Sequence, residues 1–360
     1  MSRLKCIFHI PWKLAEKQNV ASEIRPRKML KAFMDYGYEV DTVWGDSRER
    51  KEKINNIKNK IKHGIKYDFM YSESSTLPNA LTDYDHLPRS PFADYFFFRF
   101  CKKNSIPVGL FYRDVYWNIS GYRRFNPLLN SGVNFFHKLD NFLIFPLLKK
   151  LYLPSEAMKP YVPFVPDELS CKALPSGVEP KTGKNTENNT FLYVGNVNDS
   201  IYDISVLFKV FSKIPEAELI VNCRETSNEF IKKTYKEYLT DNIKVKNYFG
   251  SDLVKLYDTA SYAFLFFKPD IVRTFASPYK QFEYISYCKI TIANIETHAG
   301  KFNRENNLGF SIKYDENELA ECVKSLLGKD HAEIKKQIKK FADENTWLKR
   351  AETVINDLRS

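Results

Sequence analysis

Short apolar runs alternate with longer amphipathic segments through the first 153 residues of the chain. Apolar runs bounded by turn-forming residues are typical of buried strands, and the segments between them have the length of helices. Strands are predicted at residues 4–10, 38–43, 69–71, 107–112 and 151–153, and helices at residues 24–36, 49–63, 94–103 and 135–150. This alternation predicts βαβ units and therefore a parallel sheet.

A proline-rich joint separates this series from a second one. Residues 154–190 contain six prolines and end in a polar loop. Beyond it, strands are predicted at residues 191–194, 218–221, 243–248, 262–267 and 290–293, and helices at residues 203–214, 228–239, 252–258, 278–287, 316–327 and 331–358. The chain is long enough for two cores. The sequence therefore predicts an α/β protein with two Rossmann-like domains, at residues 1–165 and 166–340.

The positive charge is concentrated in the first predicted domain. The net charge is +11, and residues 1–165 hold 27 Lys and Arg against 16 Asp and Glu. This asymmetry favours contact with a polyanion, either anionic lipid or nucleic acid. For the lysines of residues 51–66, a solvated surface is the favoured explanation, because the segment has the pattern of an exposed helix. Because the sequence lacks the signatures of the common nucleic-acid-binding domains, we expect no nucleic-acid partner.

Cysteine spacing and hydropathy indicate where the protein works. Six scattered cysteines without a C-x-x-C pair are typical of a reducing compartment. No run of about 18 apolar residues is present, and the first residues lack the apolar core of a signal peptide. We therefore expect a cytoplasmic protein. Residues 121–153 combine Arg123, Arg124 and Lys138 with many apolar residues. This composition favours a peripheral position on anionic lipid at the inner face of the membrane, and a buried helix with basic ends is the alternative.

The most informative polar residues follow the predicted strand at residues 262–267. Ligands of parallel sheets bind beyond the carboxyl ends of the strands. Here Ser277 and Pro278 open a predicted helix, whose free N–H groups attract anions. Lys280 lies in the first turn, and Glu283 lies near the same end. These groups suit a diphosphate and a ribose diol, whereas a surface Lys–Glu pair on an amphipathic helix is the plainer explanation.

The same segment resembles a known family. Pro278, Lys280, Glu283 and Tyr284, with Lys289 before an apolar strand, are similar to the P-x-K-x-x-E-Y-x-x-x-G-K-P-V segment of GT-B glycosyltransferases, especially the family 4-like group. Further segments resemble the family in the same order along the chain: NVASEIRPR (19–27), AFMDYGYEV (32–40), LPSEAM (153–158), LPSGVE (174–179), LYVGN (192–196) and WLKRA (347–351). The resemblance therefore spans nearly the whole chain.

The resemblance implies a fold and an activity. The fold is two Rossmann-like domains facing across a cleft, with a C-terminal helix at residues 341–360 that crosses back to the first domain. The first domain binds the acceptor, and the second binds a nucleotide-sugar donor, a UDP-sugar ahead of a GDP-sugar, with no tightly bound cofactor. The implied reaction is hexosyl transfer to a saccharide or lipid-linked acceptor in cell-surface polysaccharide synthesis.

Donor-binding residues follow from the resemblance by position. Glu283 is expected to hold the ribose, and Lys280 with the turn at Ser277 the diphosphate. Gly195 allows the backbone to approach the diphosphate closely. The expected donor-binding residues are Gly195, Asn196, Ser277, Pro278, Tyr279, Lys280 and Glu283.

The sequence departs from the family where the catalytic acid is expected. Phe275 stands where retaining family 4 enzymes carry a Glu, and Asp270 is a substitute acid five residues earlier. Inversion needs a general base on the acceptor side instead. Asp114 is the candidate base, and the aromatic faces of its neighbours Tyr112, Tyr116 and Trp117 suit sugar rings. The alternative is that Asp114 caps the following segment and pairs with Arg113. Retention and inversion both remain open.

We expect no metal. Asp83 and Asp85 have the D-x-D spelling of metal-dependent glycosyltransferases but lack a preceding apolar strand. Arg224 and Arg273, near strand ends, are expected to neutralise the leaving group instead. A Rossmann dehydrogenase or epimerase needs a glycine-rich turn after the first strand, and residues 8–20 contain no glycine. The alternatives are a non-catalytic nucleotide-sugar-binding protein and a basic nucleic-acid-binding protein.

Overall fold

The protein is described by a computed structural model that covers residues 4–14, 21–122, 126–181, 188–198 and 200–360. The chain divides into two compact units. The first unit is Met1–Gly177 with Trp347–Ser360, and the second unit is Val178–Thr346. The sequence analysis placed the corresponding boundaries at residues 165 and 341.

The described part of the first unit contains a six-stranded parallel sheet. Its strands are β1 (Lys5–His9), β2 (Glu39–Val43), β3 (Phe69–Glu73), β4 (Val108–Phe111), β5 (Lys150–Leu153) and β6 (Cys171–Ala173), in the order β2-β1-β3-β4-β5-β6. The helices α1 (Ala21–Asp35), α2 (Ser47–Lys62), α3 (Ala93–Lys103) and α4 (Pro127–Ile144) connect them. Every residue of β3 and β4 is buried, as expected for strands covered on both faces.

Two predictions for this unit were wrong in detail. The proline-rich joint contains β6, which pairs with β5 through Leu151 and Cys171. Helix α4 begins at Pro127, not at residue 135, because Asn126 caps it by accepting the Leu129 N–H at 3.0 Å. It ends before a 3-10 turn at Phe145–Leu147, so the predicted helix to residue 150 is also too long.

The described part of the second unit contains another six-stranded parallel sheet. Its strands are β7 (Thr190–Val194), β8 (Glu218–Asn222), β9 (Ile243–Lys246), β10 (Tyr262–Leu265), β11 (Ile290–Asn294) and β12 (Gly309–Ile312), in the order β12-β11-β10-β7-β8-β9. The helices are α5 (Ser205–Phe211), α6 (Glu225–Thr234), α7 (Ser251–Thr259), α8 (Tyr279–Ser286), α9 (His298–Asn306), α10 (Glu316–Leu326) and α11 (Ala332–Glu344). The sequence analysis did not anticipate α9 or β12.

The last helix, α12 (Trp347–Arg359), belongs to the first unit. The sequence predicted one helix over residues 331–358, but the structure interrupts it before Trp347. Gly177 makes room for the start of α12, because a Cβ there would lie 2.6 Å from the Trp347 backbone. Near its other end, the Lys172 ammonium lies 2.9 Å from the Asp357 carboxylate, and Ile355 is buried. The helix is therefore part of the core of the first unit.

We expect Ile355→Ala to lower the free energy of unfolding of the first unit by about 3 kcal/mol, because the truncation leaves a cavity under α12. The four tryptophans (Trp12, Trp44, Trp117 and Trp347) all belong to the first unit, so tryptophan fluorescence during urea denaturation reports its unfolding. The exposed neighbour supplies the control, Asn356→Ala. Equal unfolding midpoints for the two variants would contradict a core role for α12.

Candidate active site

In the second unit, the candidate donor residues lie at the carboxyl edge of the sheet. Gly195 follows β7, and its N–H donates to the Asn222 carbonyl at the end of β8, at 3.1 Å. The Val194 N–H donates to the Tyr284 hydroxyl at 3.0 Å. This bond ties the end of β7 to α8, so the glycine turn and the helix that holds Lys280 are neighbours.

The start of α8 presents donors to an anion. Pro278 occupies the capping position instead of the first helical position that the sequence predicted. The helix therefore begins one residue later, at Tyr279. The first N–H groups of a helix have no carbonyl partner within it, and the helix dipole makes this end positive. The Ser277 hydroxyl is buried without a hydrogen-bond partner in the described ranges. The arrangement fits an oxyanion such as a phosphate.

Lys280 and Glu283 form an ion pair on α8, with N···O at 2.5 Å. Both side chains are partly exposed, so a ligand can reach them. The Lys280 ammonium also donates to the Tyr257 hydroxyl at 3.4 Å, and the Tyr257 ring stacks on Tyr287 with centroids 4.3 Å apart. These contacts fix the lysine at the end of α8 that faces the strand edge.

The turn after β7 is shaped by Tyr193. Its hydroxyl donates to the Asn196 carbonyl at 2.6 Å, and a Cβ at Gly195 would lie 2.9 Å from that hydroxyl. A larger residue at position 195 would displace the tyrosine. Asn196 itself is exposed. The turn thus leaves its backbone open to a ligand.

Arg273 and Arg224 differ in how firmly they are held. The Arg273 guanidinium lies 3.8 Å from the ring centroid of Phe267 and 5.6 Å from that of Tyr202. Its Nε is 3.6 Å from the Asp270 carboxylate, which also accepts the Arg273 N–H at 3.0 Å. Asp270, the substitute acid of the sequence analysis, is therefore engaged by Arg273. Arg224 is exposed immediately before α6.

Two residues next to this site differ from the glycosyltransferase segment that the sequence resembles, and the two differences have different physical consequences. Phe275, in the place of the expected Glu, is buried, so it supplies packing and no charge. Cys288 stands at the glycine position of the P-x-K-x-x-E-Y-x-x-x-G-K-P-V segment that the sequence resembles, and it has a φ of +54°, a left-handed conformation that glycine adopts without strain. Lys289 is buried with its ammonium 2.8 Å from the Ala260 carbonyl, and burial lowers its pKa to about 8. Lys289 is therefore a structural residue here.

In the first unit, Asp114 is buried just beyond β4. Its neighbour Arg113 donates its N–H to the Ser74 hydroxyl at 2.9 Å and lies over the Trp12 ring, 4.8 Å from the centroid. The Arg113 guanidinium is 3.6 Å from the Glu73 carboxylate, and burial lowers the pKa of Arg113. The residues that follow β1, β3 and β4 thus meet around Arg113, the neighbour of Asp114.

The aromatic residues near Asp114 have structural partners. The Tyr112 hydroxyl accepts from Trp117 Nε1 at 3.0 Å and from Asn141 Nδ2 at 3.3 Å, and Tyr112 is buried. The Trp117 ring stacks on His137 with centroids 4.6 Å apart. Tyr112 is therefore not a sugar platform as the sequence analysis expected, while Trp117 stays partly exposed.

The D-x-D spelling is structural. Asp83 accepts the Ser47 N–H at 2.7 Å at the start of α2, and Asp85 pairs with Arg89. Within the described ranges, no group of three or more His, Cys, Asp or Glu side chains is placed to hold a metal ion. His9, at the end of β1, is buried between Ser72 and Asp94, with ring-nitrogen contacts of 2.8 and 3.0 Å.

Sequence reasoning missed Arg25 and Glu73. Arg25 is buried on α1, and its Nε lies 3.4 Å from the fully buried carboxylate of Glu73 at the end of β3. A charged residue at the end of the apolar strand FMYSE was the available signal, because a buried carboxylate needs a partner.

Solved structures share this architecture. HepE (Alr3699) from Anabaena, solved with UDP and glucose, is 11% identical and matches 99% of this chain and 100% of its own, with a TM-score of 0.63. A glycosyltransferase from Rickettsia africae is 14% identical over 99% of both chains, with a TM-score of 0.61. Sucrose-phosphate synthase from Thermosynechococcus elongatus is 13% identical over 97% of both chains, with a TM-score of 0.59. The chain therefore has the GT-B glycosyltransferase fold. No protein-family model matches it, and no curated protein matches its sequence.

Proposed function

We propose that the protein is a hexosyltransferase that moves a sugar from a UDP-sugar to a lipid-linked saccharide acceptor. The reaction belongs to cell-surface polysaccharide synthesis in this proposal. The observation that carries this proposal is the start of α8. Ser277, Lys280 and Glu283 lie together there, and the glycine turn after β7 is tied to the same helix. Helix N–H donors and a cation suit a diphosphate, and a carboxylate beside them suits the ribose hydroxyls.

Each part of the donor has a matching group. The diphosphate accepts from the first N–H groups of α8 and from Lys280. The ribose hydroxyls donate to the carboxylate of Glu283. In the structure this carboxylate pairs with Lys280, and the ribose replaces part of that ion pair when the donor binds. UDP is the first choice of nucleotide because HepE was solved with UDP and with UDP-glucose, and GDP is the second choice.

Glu283→Ala is expected to weaken UDP binding at least about ten-fold, the effect of losing hydrogen bonds to a charged group. Isothermal titration of UDP into wild type and variant measures this directly. Glu305→Ala is the matched control, because Glu305 pairs with Lys301 on the surface of α9. Equal UDP affinity in wild type and Glu283→Ala, or no UDP binding by the wild type, would overturn the donor site.

The proposed chemistry uses a base in the first unit and cations in the second. Asp114 removes the proton of the acceptor hydroxyl, the role that an inverting mechanism needs. The start of α8, Arg224 and Arg273 stabilise the charge that develops on the leaving diphosphate. These groups supply the counter-charge, so the proposal requires no metal, and activity in the presence of EDTA checks this. The buried Phe275 favours inversion over retention.

Asp114→Asn is expected to lower the turnover number about a hundred-fold or more, while the UDP affinity stays unchanged. The measurement is UDP release from a panel of UDP-hexoses on addition of a cellular lipid extract. Asp85→Asn is the matched control, a carboxylate of the same unit that pairs with Arg89 on the surface. Retained turnover in Asp114→Asn would reassign the base.

A non-catalytic nucleotide-sugar-binding protein is the second candidate, and Phe275 is the observation that favours it. Such a protein would bind UDP through Glu283 but release none from any UDP-hexose. The two preceding measurements together separate this candidate from the enzyme.

A membrane-bound acceptor is supported by the exposed side of α4, here called the α4 surface. Leu128, Phe135 and Phe142 recur every seven residues and are 83%, 59% and 62% exposed. Phe164, also exposed, contacts Phe142 with ring centroids 6.1 Å apart, and Lys138 is exposed on the same helix. An apolar helix face with a lysine beside its aromatic side chains fits anionic lipid. Arg123 and Arg124, part of the predicted basic face, lie outside the described residues.

The α4 surface rests on the membrane without crossing it in this proposal. Among the helices of the described ranges, none is long and apolar enough to span a bilayer. The net positive charge of the first 165 residues adds electrostatic attraction to anionic headgroups.

The double variant Phe135→Ser and Phe142→Ser is expected to weaken binding to vesicles containing phosphatidylglycerol about ten-fold or more, because each buried Phe contributes about 1.5–3 kcal/mol. Co-sedimentation with vesicles at several lipid concentrations gives the affinities. Met34→Ser is the control, an exposed apolar residue on α1 of the same unit. Undiminished binding by the double variant would remove the α4 surface from the proposal.

A further inference from the structure

The parallel sheet of the second unit opens between β7 and β10 at its carboxyl edge. The chain builds outward from β7 through β8 and β9 and then continues on the other side of β7 with β10. The loops after β7 and β10 therefore leave the sheet towards opposite faces, which creates a crevice between them. Within the described sheet, β10 pairs with β7 through Phe191 and Leu192 but not through Tyr193 and Val194. The last two residues of β7 thus lack a strand partner on this side.

Two tyrosine hydroxyls supply hydrogen bonds where this strand pairing stops. Tyr284 of α8 is fully buried, and its hydroxyl accepts the Val194 N–H at 3.0 Å. Tyr193 is buried as well, and its hydroxyl donates to the Asn196 carbonyl at 2.6 Å. The first bond ties the end of β7 to α8, and the second closes the turn around Gly195. Without the hydroxyl of Tyr284, the buried N–H of Val194 would lose its acceptor, which is costly.

A third buried hydroxyl lies beside Lys280. Tyr257 of α7 accepts from the Lys280 ammonium at 3.4 Å, and its ring meets that of Tyr284 edge to face with centroids 6.1 Å apart. Burial raises the pKa of the hydroxyls of Tyr193, Tyr257 and Tyr284, so each keeps its proton at neutral pH. Phenylalanine would fill the same apolar space without burying a polar group. The three hydroxyls therefore indicate a role beyond packing.

We propose that Tyr193, Tyr257 and Tyr284, here called the tyrosine floor, are positioning residues that hold the diphosphate-binding groups in place before the donor arrives. This inference rests on the proposed function, which assigns the diphosphate to the glycine turn and the start of α8. Tyr193 and Tyr284 act through the backbone of the turn, and Tyr257 acts through the ammonium of Lys280. The contacts with the ligand belong to the turn and to Lys280.

Positioning of this kind favours affinity for the diphosphate in particular. Asn196 is exposed and Lys280 is partly exposed, so water alone would leave the turn and the ammonium free to move. Groups that are already fixed lose little freedom when a ligand binds. Loss of one hydroxyl should therefore weaken the binding of the diphosphate and leave the contacts of the nucleoside unchanged.

The test is isothermal titration of UDP into the full chain and four variants. Tyr193→Phe, Tyr257→Phe and Tyr284→Phe are each expected to weaken UDP binding about three- to ten-fold, because each loses one hydrogen bond next to the diphosphate. Tyr262→Phe is the matched control, and its UDP affinity should equal that of the wild type. Tyr262 is also buried, and its hydroxyl donates to the Leu326 carbonyl at 3.0 Å at the amino end of β10.

Uridine distinguishes positioning from a general loss of structure. It lacks the diphosphate, so its affinity, measured by displacement of UDP, should be the same in the wild type and in all variants. Cooperative urea unfolding shows that a variant is folded, and if one variant fails to fold, the other two decide. UDP affinities that match Tyr262→Phe in the tyrosine-floor variants overturn the proposal, as does a loss of affinity that uridine shares. If uridine displaces no UDP from the wild type, the comparison with Tyr262→Phe decides alone.

The two proposals can fail separately. If the wild type binds GDP in place of UDP, the same variants are titrated with GDP. If it binds neither nucleotide, the donor site fails and the tyrosine floor fails with it. If it binds a nucleotide and the tyrosine-floor variants match Tyr262→Phe, the donor site stands and the tyrosine floor alone fails.

Discussion

The common direction of the strands is the constraint on which both candidate sites depend. In each described sheet all strand pairings are parallel, so every strand ends at the same edge and every return to the opposite edge needs a crossover. In the second unit, asparagine side chains at the carboxyl ends of strands form hydrogen bonds with the backbone of neighbouring loops. Asn222 accepts the Tyr248 N–H at 2.8 Å, and Asn294 accepts the Phe267 N–H at 2.9 Å. The loops that hold Gly195, Arg224 and Arg273 are thereby fixed to one edge of the sheet.

The sequence predicted every strand that is buried throughout and also the edge strands β2 and β9, but it missed the edge strands β6 and β12 and the helix α9. Strands such as β7 and β11 are buried at every residue and stand out as apolar runs. The edge strands β6 and β12 are only partly buried, so their hydrophobic pattern is weak, and α9 (HAGKFNREN) is short and largely polar. Edge elements are specified by their neighbours more than by their own residues.

Contacts between residues that are distant in the chain determine features that the local hydrophobic pattern could not predict. Residues 331–358 contain neither proline nor glycine, so the only local signals of a helix end near residue 345 are the weaker cap residues Asn345 and Thr346. The interruption arises because the Val178 N–H donates to the Asn345 carbonyl at 2.8 Å and Val178 pairs with Thr346. The candidate donor motif was predictable because it is contiguous. The contacts of Arg25 were not predictable, because the Leu174 carbonyl that accepts its hydrogen bond is 149 residues away in the chain.

The position of α12 at the end of the chain determines when the core of the first unit can be completed during synthesis. The first unit is made of two segments, and the second unit is inserted between them, with its own ends joined at Val178 and Thr346. When residue 177 leaves the ribosome, the β-sheet of the first unit is complete but the apolar surface that α12 covers is bare. It remains so while 169 further residues of the second unit are made. During this time the growing chain exposes apolar surface, and a chain that stops between residues 177 and 347 never covers it.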